Sequence, residues 1–415
     1  MPFSSFELVE SLLQAVSHHH GPTAIQAGSI RAILSGVDIL ATAPTGSGKT
    51  TAFVLPLLQR WHSRDDKPGR NRPLNTLILV PTRELAAQVR EVVQECSVHL
   101  PDRPKIVSAV GGVSINPQMM ALRGGADFVI ATPGRLLDLV ERNALSLSGL
   151  RSLVLDEADR LLDLGFSEEL KRIFELLPEK RQNLLFSATF PKKVEDLALE
   201  WLHSPTRVEI HEDTENAPDI VQRSIRVDTG KRTPLLRHLI EAGDWKRVLV
   251  FVASQYTADH VALKLRRNGV RAWAFHGDLG QGARSEALDD FKNSHFKVLV
   301  ATDLAARGLD IVQLPVVVNY DLPRSSDDYT HRIGRTGRAG ESGIAVSFVT
   351  AENEAHFRLI EKRNDLRIAR EEIEGFEPTE SAEARPASAG TGGIKGPRKS
   401  KKDKLREAAA RKARE

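Results

Sequence analysis

The 415-residue sequence has one cysteine, few aromatic residues and no long hydrophobic run. Because Cys96 is the only cysteine, an internal disulfide and a cysteine-ligated zinc site are excluded, and its helical surroundings favour a buried small side chain. No apolar run reaches the roughly 18 residues that a membrane-spanning helix needs. The chain also does not begin with a basic stretch followed by an apolar one, so we expect no secretory signal and a cytoplasmic protein.

The formal net charge of +3 is distributed unevenly along the chain. Residues 395–415 carry a net charge of +7, which leaves −4 for the rest. A basic segment almost free of aromatic residues can hold polyanions by neutralising phosphates, although a solvated tail without a ligand stays an alternative. From about Pro378 the composition shifts to Ala, Gly, Ser, Pro and Lys, and we predict a disordered basic tail over residues 376–415.

Short apolar runs recur before that tail, and each is followed by a turn and a stretch with helical spacing. The alternation predicts an α/β protein with parallel sheets covered by helices. A polar, acidic, proline-bracketed segment from about Ser204 to Asp219 interrupts it and is typical of a hinge. We therefore predict domain 1 over residues 1–207, a linker over 208–219 and domain 2 over 220–375. The predicted strands are Val37–Ala41, Leu77–Val80, Phe128–Ala131, Leu153–Leu155, Leu184–Phe186, Val248–Val252, Val298–Ala301, Val316–Asn319 and Ile344–Val349.

The segment Ala43-Pro-Thr-Gly-Ser-Gly-Lys-Thr50 stands between an apolar strand and a helical run. Glycine-rich loops in this position cradle phosphates, Lys49 can reach the β- and γ-phosphate oxygens, and the Thr50 hydroxyl can ligate Mg²⁺. Ala43 replaces the first glycine of the strict pattern, and a purely structural turn stays the alternative for this motif alone. The predicted phosphate-binding residues are Thr45, Gly46, Ser47, Gly48, Lys49 and Thr50.

Another predicted strand, Leu153–Leu155, ends in Asp156-Glu-Ala-Asp159. Ligands of parallel sheets bind at the carboxyl ends of strands, where Asp156 can hold a metal ion and Glu157 can orient or deprotonate water. An acidic strand end by itself is more often a helix cap or a solvated turn. Its combination with Lys49 and Thr50 favours a catalytic site.

Four further motifs are recognisable along the chain. Together with Asp156–Asp159 they stand in the order typical of the DEAD-box RNA helicase family, which the chain resembles over about residues 3 to 350. They are Pro81-Thr-Arg-Glu-Leu85, Thr132-Pro-Gly-Arg135, Ser187-Ala-Thr189 and His331-Arg-Ile-Gly-Arg-Thr-Gly-Arg338. The resemblance implies two tandem RecA-like, P-loop NTPase domains. The short core with a basic tail is similar to the bacterial RhlE-type subgroup.

The resemblance also implies roles around ATP. The segment Gly21–Gln26 would read adenine, with Gln26 on the base edge and Phe3 packed on the ring, although His18-His-His20 replaces the family's glycine–aromatic pair. From domain 2, Arg335 and Arg338 would reach the γ-phosphate as arginine fingers. The remaining implied residues are Asp310 at the ribose and, for coupling the nucleotide site to RNA, Asp159, Ser187, Thr189 and His331.

RNA would lie along both domains, held through its backbone. Taken singly, the motifs concerned are common turn and cap sequences, and their order carries the inference. The residues that the resemblance implies are Pro81, Thr82, Arg83, Gly111, Gly112, Thr132, Pro133, Gly134 and Arg135 on domain 1, and Gln281, Arg284 and Thr302 on domain 2.

The sequence thus predicts an ATP-dependent RNA helicase that uses ATP and Mg²⁺, in which closure of the two domains gates hydrolysis and opens short duplexes locally. A DNA helicase is one alternative, and an ATP-controlled RNA clamp or annealer that depends on the basic tail is another. We expect RNA bound with weak sequence preference, no membrane and a monomer. Ribosome-assembly or RNA-decay proteins are candidate partners.

Overall fold

The computed structural model describes residues 2–44, 46–64, 72–210, 220–306, 314–337 and 342–379. Three predicted site residues, Thr45, Asp310 and Arg338, lie outside the described residues. The same holds for residues 211–219 of the predicted linker and 380–415 of the predicted tail.

Domain 1 is a parallel β-sheet between layers of helices. Its strands are β1 (Ile39–Thr42), β2 (Thr76–Leu79), β3 (Ile106–Ala109), β4 (Phe128–Ala131), β5 (Ser152–Leu155), β6 (Gln182–Ser187) and β7 (Thr206–Glu209). Its helices are α1 (Glu10–Ala15), α2 (Ala24–Leu34), α3 (Lys49–His62), α4 (Arg83–Cys96), α5 (Ile115–Ala121), α6 (Pro133–Glu141), α7 (Ala158–Asp163), α8 (Ser167–Glu175) and α9 (Lys192–Trp201). Within the described residues the strand order is β3-β4-β2-β5-β6-β1-β7, with every pair parallel.

Alternating side chains of the central strands enter two separate cores, one on each face of the sheet. Ile78 and Val154 pack with α3 and α4 on one face, whereas Leu77 and Leu153 pack with α6 and α8 on the other. Successive side chains of a strand point to opposite faces, so strands that are covered on both sides need apolar residues at every position. This explains why the central strands read as continuous apolar runs in the sequence.

Domain 2 repeats this architecture. Its strands are β8 (Ile220–Arg226), β9 (Val248–Val252), β10 (Ala272–Phe275), β11 (Val298–Thr302), β12 (Val316–Asn319), β13 (Gly343–Val349) and β14 (Arg370–Glu371). Its helices are α10 (Arg232–Ala242), α11 (Gln255–Arg267), α12 (Gln281–Lys292), α13 (Asp303–Ala306), α14 (Ser326–Ile333) and α15 (Glu354–Arg363). The described strands run in the order β10-β11-β9-β12-β13-β8-β14 and are again all parallel. The α/β fold with two parallel sheets is confirmed.

All nine predicted strands are present, and the described residues form five further strands that were not predicted. These five are β3, β7, β10 and β14, which form the sheet edges, and β8 beside β14. Three of the four residues of β7 are exposed, and Trp273 is exposed on β10. An edge strand is covered on fewer sides, so its sequence lacks the continuous apolar run on which the prediction rested.

The first residues of the predicted hinge belong to the sheet of domain 1. Instead of irregular structure from about Ser204, Thr206–Glu209 pairs with β1, and the Ile210 amide donates to the Thr42 carbonyl at 2.8 Å. At the other end, Phe376 packs against the core of domain 2, and Thr379 donates to Asp228. Residues 376–379 therefore contact domain 2 rather than belonging to a separate tail. Among the described helices, none has the length and apolarity that crossing a bilayer requires.

Candidate functional site at the domain interface

The phosphate loop connects β1 to the first turn of α3. Gly46 and Gly48 have φ angles of +80° and +91°, which favour glycine. A Cβ on Gly48 would also lie 2.5 Å from Nε2 of Gln26, so a larger residue would displace the Gln26 amide. The Lys49 ammonium is buried and donates to the Pro44 carbonyl at 3.0 Å, while the Ser47 hydroxyl donates to the same carbonyl at 2.7 Å. The loop is thus curled around the Lys49 amine.

Gln26 connects the beginning of α2 to this loop. The Thr23 amide donates to Oε1 of Gln26 at 2.9 Å, in a capping box that starts the helix, and Nε2 donates to the Gly48 carbonyl at 3.2 Å. Each amide atom keeps a second hydrogen or lone pair for adenine. Phe3 is 7% exposed and makes an edge contact with Phe6, their ring centroids 6.3 Å apart. Adenine contacts by Gln26 and Phe3 stay predictions.

The acidic pair stands at the carboxyl end of β5. Asp156 is 2% exposed, and burial raises its pKa to about 7, with the neighbouring Glu157 acting in the same direction and Lys49 opposing it. Glu157 is also buried, and its φ of +51° is unusual for a residue with a side chain. Strained backbone of this kind is often found at functional sites, where the surrounding structure holds it.

A divalent cation fits this arrangement. A buried carboxylate whose charged form is disfavoured by burial becomes stable when a cation lies beside it. Asp156 and the Thr50 hydroxyl are hard oxygen ligands of the kind that Mg²⁺ prefers, and Mg²⁺ is commonly held by one or two carboxylates together with phosphates. Across the described ranges, no cluster of three His, Cys, Asp or Glu side chains could hold a metal ion.

Asp159 connects the acidic pair to the end of β6. Its carboxylate accepts hydrogen bonds from the Thr189 hydroxyl at 2.7 Å and from the Thr189 amide at 3.0 Å. The Asp159 amide in turn donates to Oγ of Ser187 at 3.3 Å. The structure therefore brings together three of the four residues that were predicted to couple the two ligand sites.

The fourth, His331, approaches from domain 2. Together with Asp159 and Thr189, His331 lines a cavity of about 360 Å³ between the domains. Arg335 is buried and lies with His331 and Arg160 around a neighbouring pocket. Burial, together with the neighbouring Arg160 and Arg335, lowers the pKa of His331 to about 4, and Asp159 opposes this shift. His331 is consequently neutral near pH 7.

This lowered pKa predicts a loss of stability on acidification. An unfolded chain, with a histidine pKa of about 6.5, binds a proton below that pH, whereas the folded chain does so only near pH 4. The contribution of His331 is therefore complete above pH 6.5, and about 2 kcal/mol of it should be lost by pH 5. Urea unfolding of the protein and of His331→Gln at pH 7.5 and pH 5 measures this, and equal losses in both proteins would contradict the assignment.

Three loops form a continuous surface at the carboxyl edge of domain 1, after the neighbouring strands β2, β3 and β4. Thr82 caps α4 by accepting from the Leu85 amide, and Thr132 precedes Pro133 at the start of α6. The Gly111 amide donates to Oγ1 of Thr132 at 3.2 Å. The predicted RNA residues Pro81 to Arg83, Gly111, Gly112 and Thr132 to Arg135 thus lie on one surface.

The two arginines that were predicted to bind RNA on this surface differ in burial and in their hydrogen bonds. Arg83 donates weakly to the Gly112 carbonyl at 3.4 Å, and a Cβ on Gly112, which has a φ of +70°, would overlap its guanidinium. Arg135 is buried and donates to the Val113 carbonyl at 2.9 Å. Its Nη1 atom is buried without a hydrogen-bond partner, whereas its Nε lies 3.5 Å from Oδ2 of Asp138. Such a buried donor is consistent with an anionic ligand.

A buried ion pair connects this surface to domain 2. Nη2 of Arg284 lies 3.0 Å from Oε1 of Glu84, and the two side chains are 8% and 7% exposed. Beside it, Arg83 donates to Oε1 of Gln281 at 3.3 Å. Gln281 begins α12 and Thr302 ends β11, so both lie at the carboxyl edge of the second sheet. Arg284 therefore contacts domain 1 directly, and its predicted contact with the RNA backbone stays a prediction.

Glu84 and Arg332 also hold parts of the site together, and neither role was predicted from the sequence. Glu84 looks like an ordinary acidic residue in the first turn of a helix. Arg332 is fixed within domain 2, where its guanidinium donates to both carboxylate oxygens of Asp303 at 2.6 Å and to Oδ1 of Asn319 at 3.0 Å. It anchors α14, and so orients His331 and Arg335 on either side of it.

Another cavity, of about 900 Å³, lies away from these residues. It is lined by the loops after α5 and α6 and by residues near Arg72, at the opposite edge of the first sheet. None of the predicted site residues that the structure describes lines it. Volume alone therefore does not identify the functional site, which is defined by the contacts between the two domains.

Comparisons with known proteins agree with the fold and with the order of the motifs. The DEAD/DEAH box helicase family matches residues 23–197, and the helicase conserved C-terminal domain matches residues 231–340. The ATP-dependent RNA helicase DeaD of Escherichia coli is 40% identical over 377 residues, which cover 90% of this chain and 59% of the relative. The chain thus spans about 60% of the length of such curated relatives.

Two solved structures extend the comparison to both domains. Saccharomyces cerevisiae Dbp5 bound to RNA and ADP BeF3 is 31% identical, with a TM-score of 0.79 over 89% of this chain and 95% of that one. A DEAD box protein from Methanococcus jannaschii is 34% identical, with a TM-score of 0.51 over 89% of this chain and 99% of that one. Both helicase domain families match the chain, one after the other, and the chain covers 95% and 99% of these two solved proteins. The chain therefore belongs to the DEAD-box family of superfamily 2 helicases.

Proposed function

We propose that this protein is an ATP-dependent RNA helicase that opens short duplexes locally when ATP and RNA together close its two domains. The observation that carries the proposal is the shared interface. Asp159 and Thr189 of domain 1 and His331 of domain 2 line one cavity, and Glu84 pairs with Arg284 across the same boundary. A site built from two domains is complete only when they are together.

Domain 1 supplies the groups that hold ATP. The amides of the phosphate loop and the positive end of α3 face the phosphates, and Lys49 neutralises part of their charge. Mg²⁺, held by Asp156 and Thr50, would neutralise developing charge on the β- and γ-phosphates. Glu157, next to Asp156, orients the attacking water and accepts its proton.

Domain 2 supplies positive charge at the γ-phosphate. Arg335 lies at the interface beside Arg160, and we assign it, with Arg338 outside the described residues, the arginine-finger role. Arg332 holds α14 in place through Asp303, so α14 moves with its domain. Hydrolysis then requires closure, and closure requires both ligands.

RNA binds across the carboxyl edges of both sheets, mainly through phosphates and sugars, so we expect weak sequence preference. Closure bends the bound strand, and a bent strand cannot stay paired. The described arrangement agrees over both domains with Dbp5 bound to RNA and ADP BeF3, at a TM-score of 0.79, which supports a closed RNA-bound state for this chain. Its cytoplasmic location, monomeric state and RhlE-type subgroup stay predictions.

The first test is steady-state ATP hydrolysis with and without single-stranded RNA. We expect strong stimulation by RNA, and a fall of roughly 100-fold or more in Lys49→Ala, because a buried cation at the phosphates is lost. If hydrolysis depends on Lys49 but is not stimulated by RNA, the protein is an ATPase whose activity RNA does not control.

Matched DNA strands in the same assay address the alternative of a DNA helicase. Stimulation by RNA alone would indicate that 2′-hydroxyl groups are read. Equal stimulation by DNA would favour a helicase that does not distinguish the two. An ATP-controlled clamp or annealer predicts RNA binding that depends on ATP, with no strand separation of a labelled short duplex.

A further inference from the structure

We propose that the exposed face of α11 binds single-stranded RNA that extends beyond the cleft, with the Tyr256 ring stacked on a base. This face consists of Tyr256, His260, Lys264 and Arg267 and is called the α11 stripe below. The inference rests on the proposed RNA-dependent function, since it extends the same path across domain 2.

The α11 stripe has the spacing of a single helix face. Its members follow at intervals of three or four residues, which places them in a row along one side of the helix. Tyr256 is 76% exposed, and its ring stacks on that of His260, with centroids 5.7 Å apart and planes inclined by 16°. Two aligned rings at a helix start form a flat surface of the kind that bases stack on.

The aromatic end of the α11 stripe adjoins the predicted RNA path. Nε2 of Gln255, the residue before Tyr256, donates to Oδ1 of Asp278 at 3.1 Å. Asp278 belongs to the loop that leads into α12, whose first residue, Gln281, accepts from Arg83 across the cleft. A strand that leaves Gln281 along this loop would reach Tyr256 next.

The charge of the α11 stripe suits a nucleic acid. Lys264 and Arg267 are exposed, and in the described part of the chain neither side chain makes an ion pair. The acidic residue nearest to them on the helix, Asp259, lies off the stripe and contacts Nε2 of His276 at 3.2 Å. Arg266 also turns away, towards the ring of Trp273 on β10. The stripe itself therefore carries no carboxylate.

These residues suggest how a strand would lie. From Tyr256 to Arg267 the helix extends roughly 16 Å, at a rise of 1.5 Å per residue. A base at the aromatic end leaves the following phosphates within reach of Lys264 and Arg267. Only RNA that is long enough to leave the cleft can make these contacts, so their effect depends on RNA length.

The test compares RNA affinity for a short and a long labelled oligonucleotide, of about 6 and about 16 nucleotides, with full-length protein and a non-hydrolysable ATP analogue. Stacking predicts that Tyr256→Ala weakens binding of the long RNA roughly fivefold or more and leaves the short RNA unchanged. Tyr256→Phe should bind like the unaltered protein, because its ring still stacks. Leu359→Ala, which removes a side chain of a residue that is 59% exposed on α15, is the control.

The salt dependence separates the ring from the cations. Replacing both Lys264 and Arg267 by Ala should lower the slope of log affinity against log salt by about 1.4 for the long RNA, whereas Tyr256→Ala should leave it unchanged. If Tyr256→Ala binds long RNA normally, or if Tyr256→Phe is as weak as Tyr256→Ala, the stacking proposal is overturned. The proposed function is tested separately, with the unaltered protein. It is contradicted if RNA does not stimulate ATP hydrolysis by that protein.

Discussion

Glu157→Gln should leave ATP and RNA bound to a closed protein that turns over ATP at least roughly 100-fold more slowly, as expected when a general base is lost. The change keeps the size and the hydrogen-bonding oxygen of the side chain but removes its capacity to take a proton. Lys49, Asp156 and Thr50 keep their places around the phosphates. The closed complex should therefore assemble normally and fail only at hydrolysis.

Two measurements distinguish this outcome from misfolding. Pre-steady-state binding of a fluorescent ATP analogue in the presence of RNA should retain its amplitude, while formation of ADP and phosphate becomes very slow. Glu168→Gln makes the same chemical change at an exposed position on α8 and should leave turnover unaltered. RNA-stimulated hydrolysis at the normal rate in Glu157→Gln would refute the role assigned to Glu157.

The central part of the fold could be predicted because burial on both faces demands apolar residues at every position. β2, β4 and β5 have no exposed residue, and each was recognised as a run of Leu, Ile, Val, Phe or Ala. β7 was missed because its sequence, Thr-Arg-Val-Glu, buries only Val208. What identifies β7 is its pairing with β1, and a contact of that kind leaves no local pattern.

The candidate site likewise contains residues that could be predicted from the sequence and residues that could not. Lys49, Asp156 and Thr189 could be predicted because their motifs stand at the carboxyl ends of parallel strands, where chain topology brings them together. Glu84 and Arg284 could not be paired from the sequence, since they are 200 residues apart and belong to different domains. Only the relative position of the domains reveals that these two charges meet.

That pair leads to the second large effect, a loss of RNA-stimulated hydrolysis in Glu84→Gln. In the closed arrangement Arg284 is buried, and burial lowers its pKa while Glu84 opposes that shift. Removing one partner of a buried ion pair costs about 3–5 kcal/mol, because the remaining charge loses its compensation. When the domains separate, water can solvate Arg284, so most of this cost falls on closure. We expect the RNA concentration for half-maximal stimulation to rise roughly 100-fold.

A double-mutant cycle isolates the contact from other roles of its members. Arg284→Gln alone should also weaken stimulation, since it leaves the Glu84 carboxylate buried without a cation. Combined with Glu84→Gln, it replaces two charges by two amides, and the double variant should be better stimulated than Glu84→Gln alone. Fluorescence energy transfer between dyes on the two domains reports closure directly under the same conditions. If the two changes are simply additive in both assays, the ion pair does not stabilise the closed state, and Arg284 acts on RNA independently of Glu84.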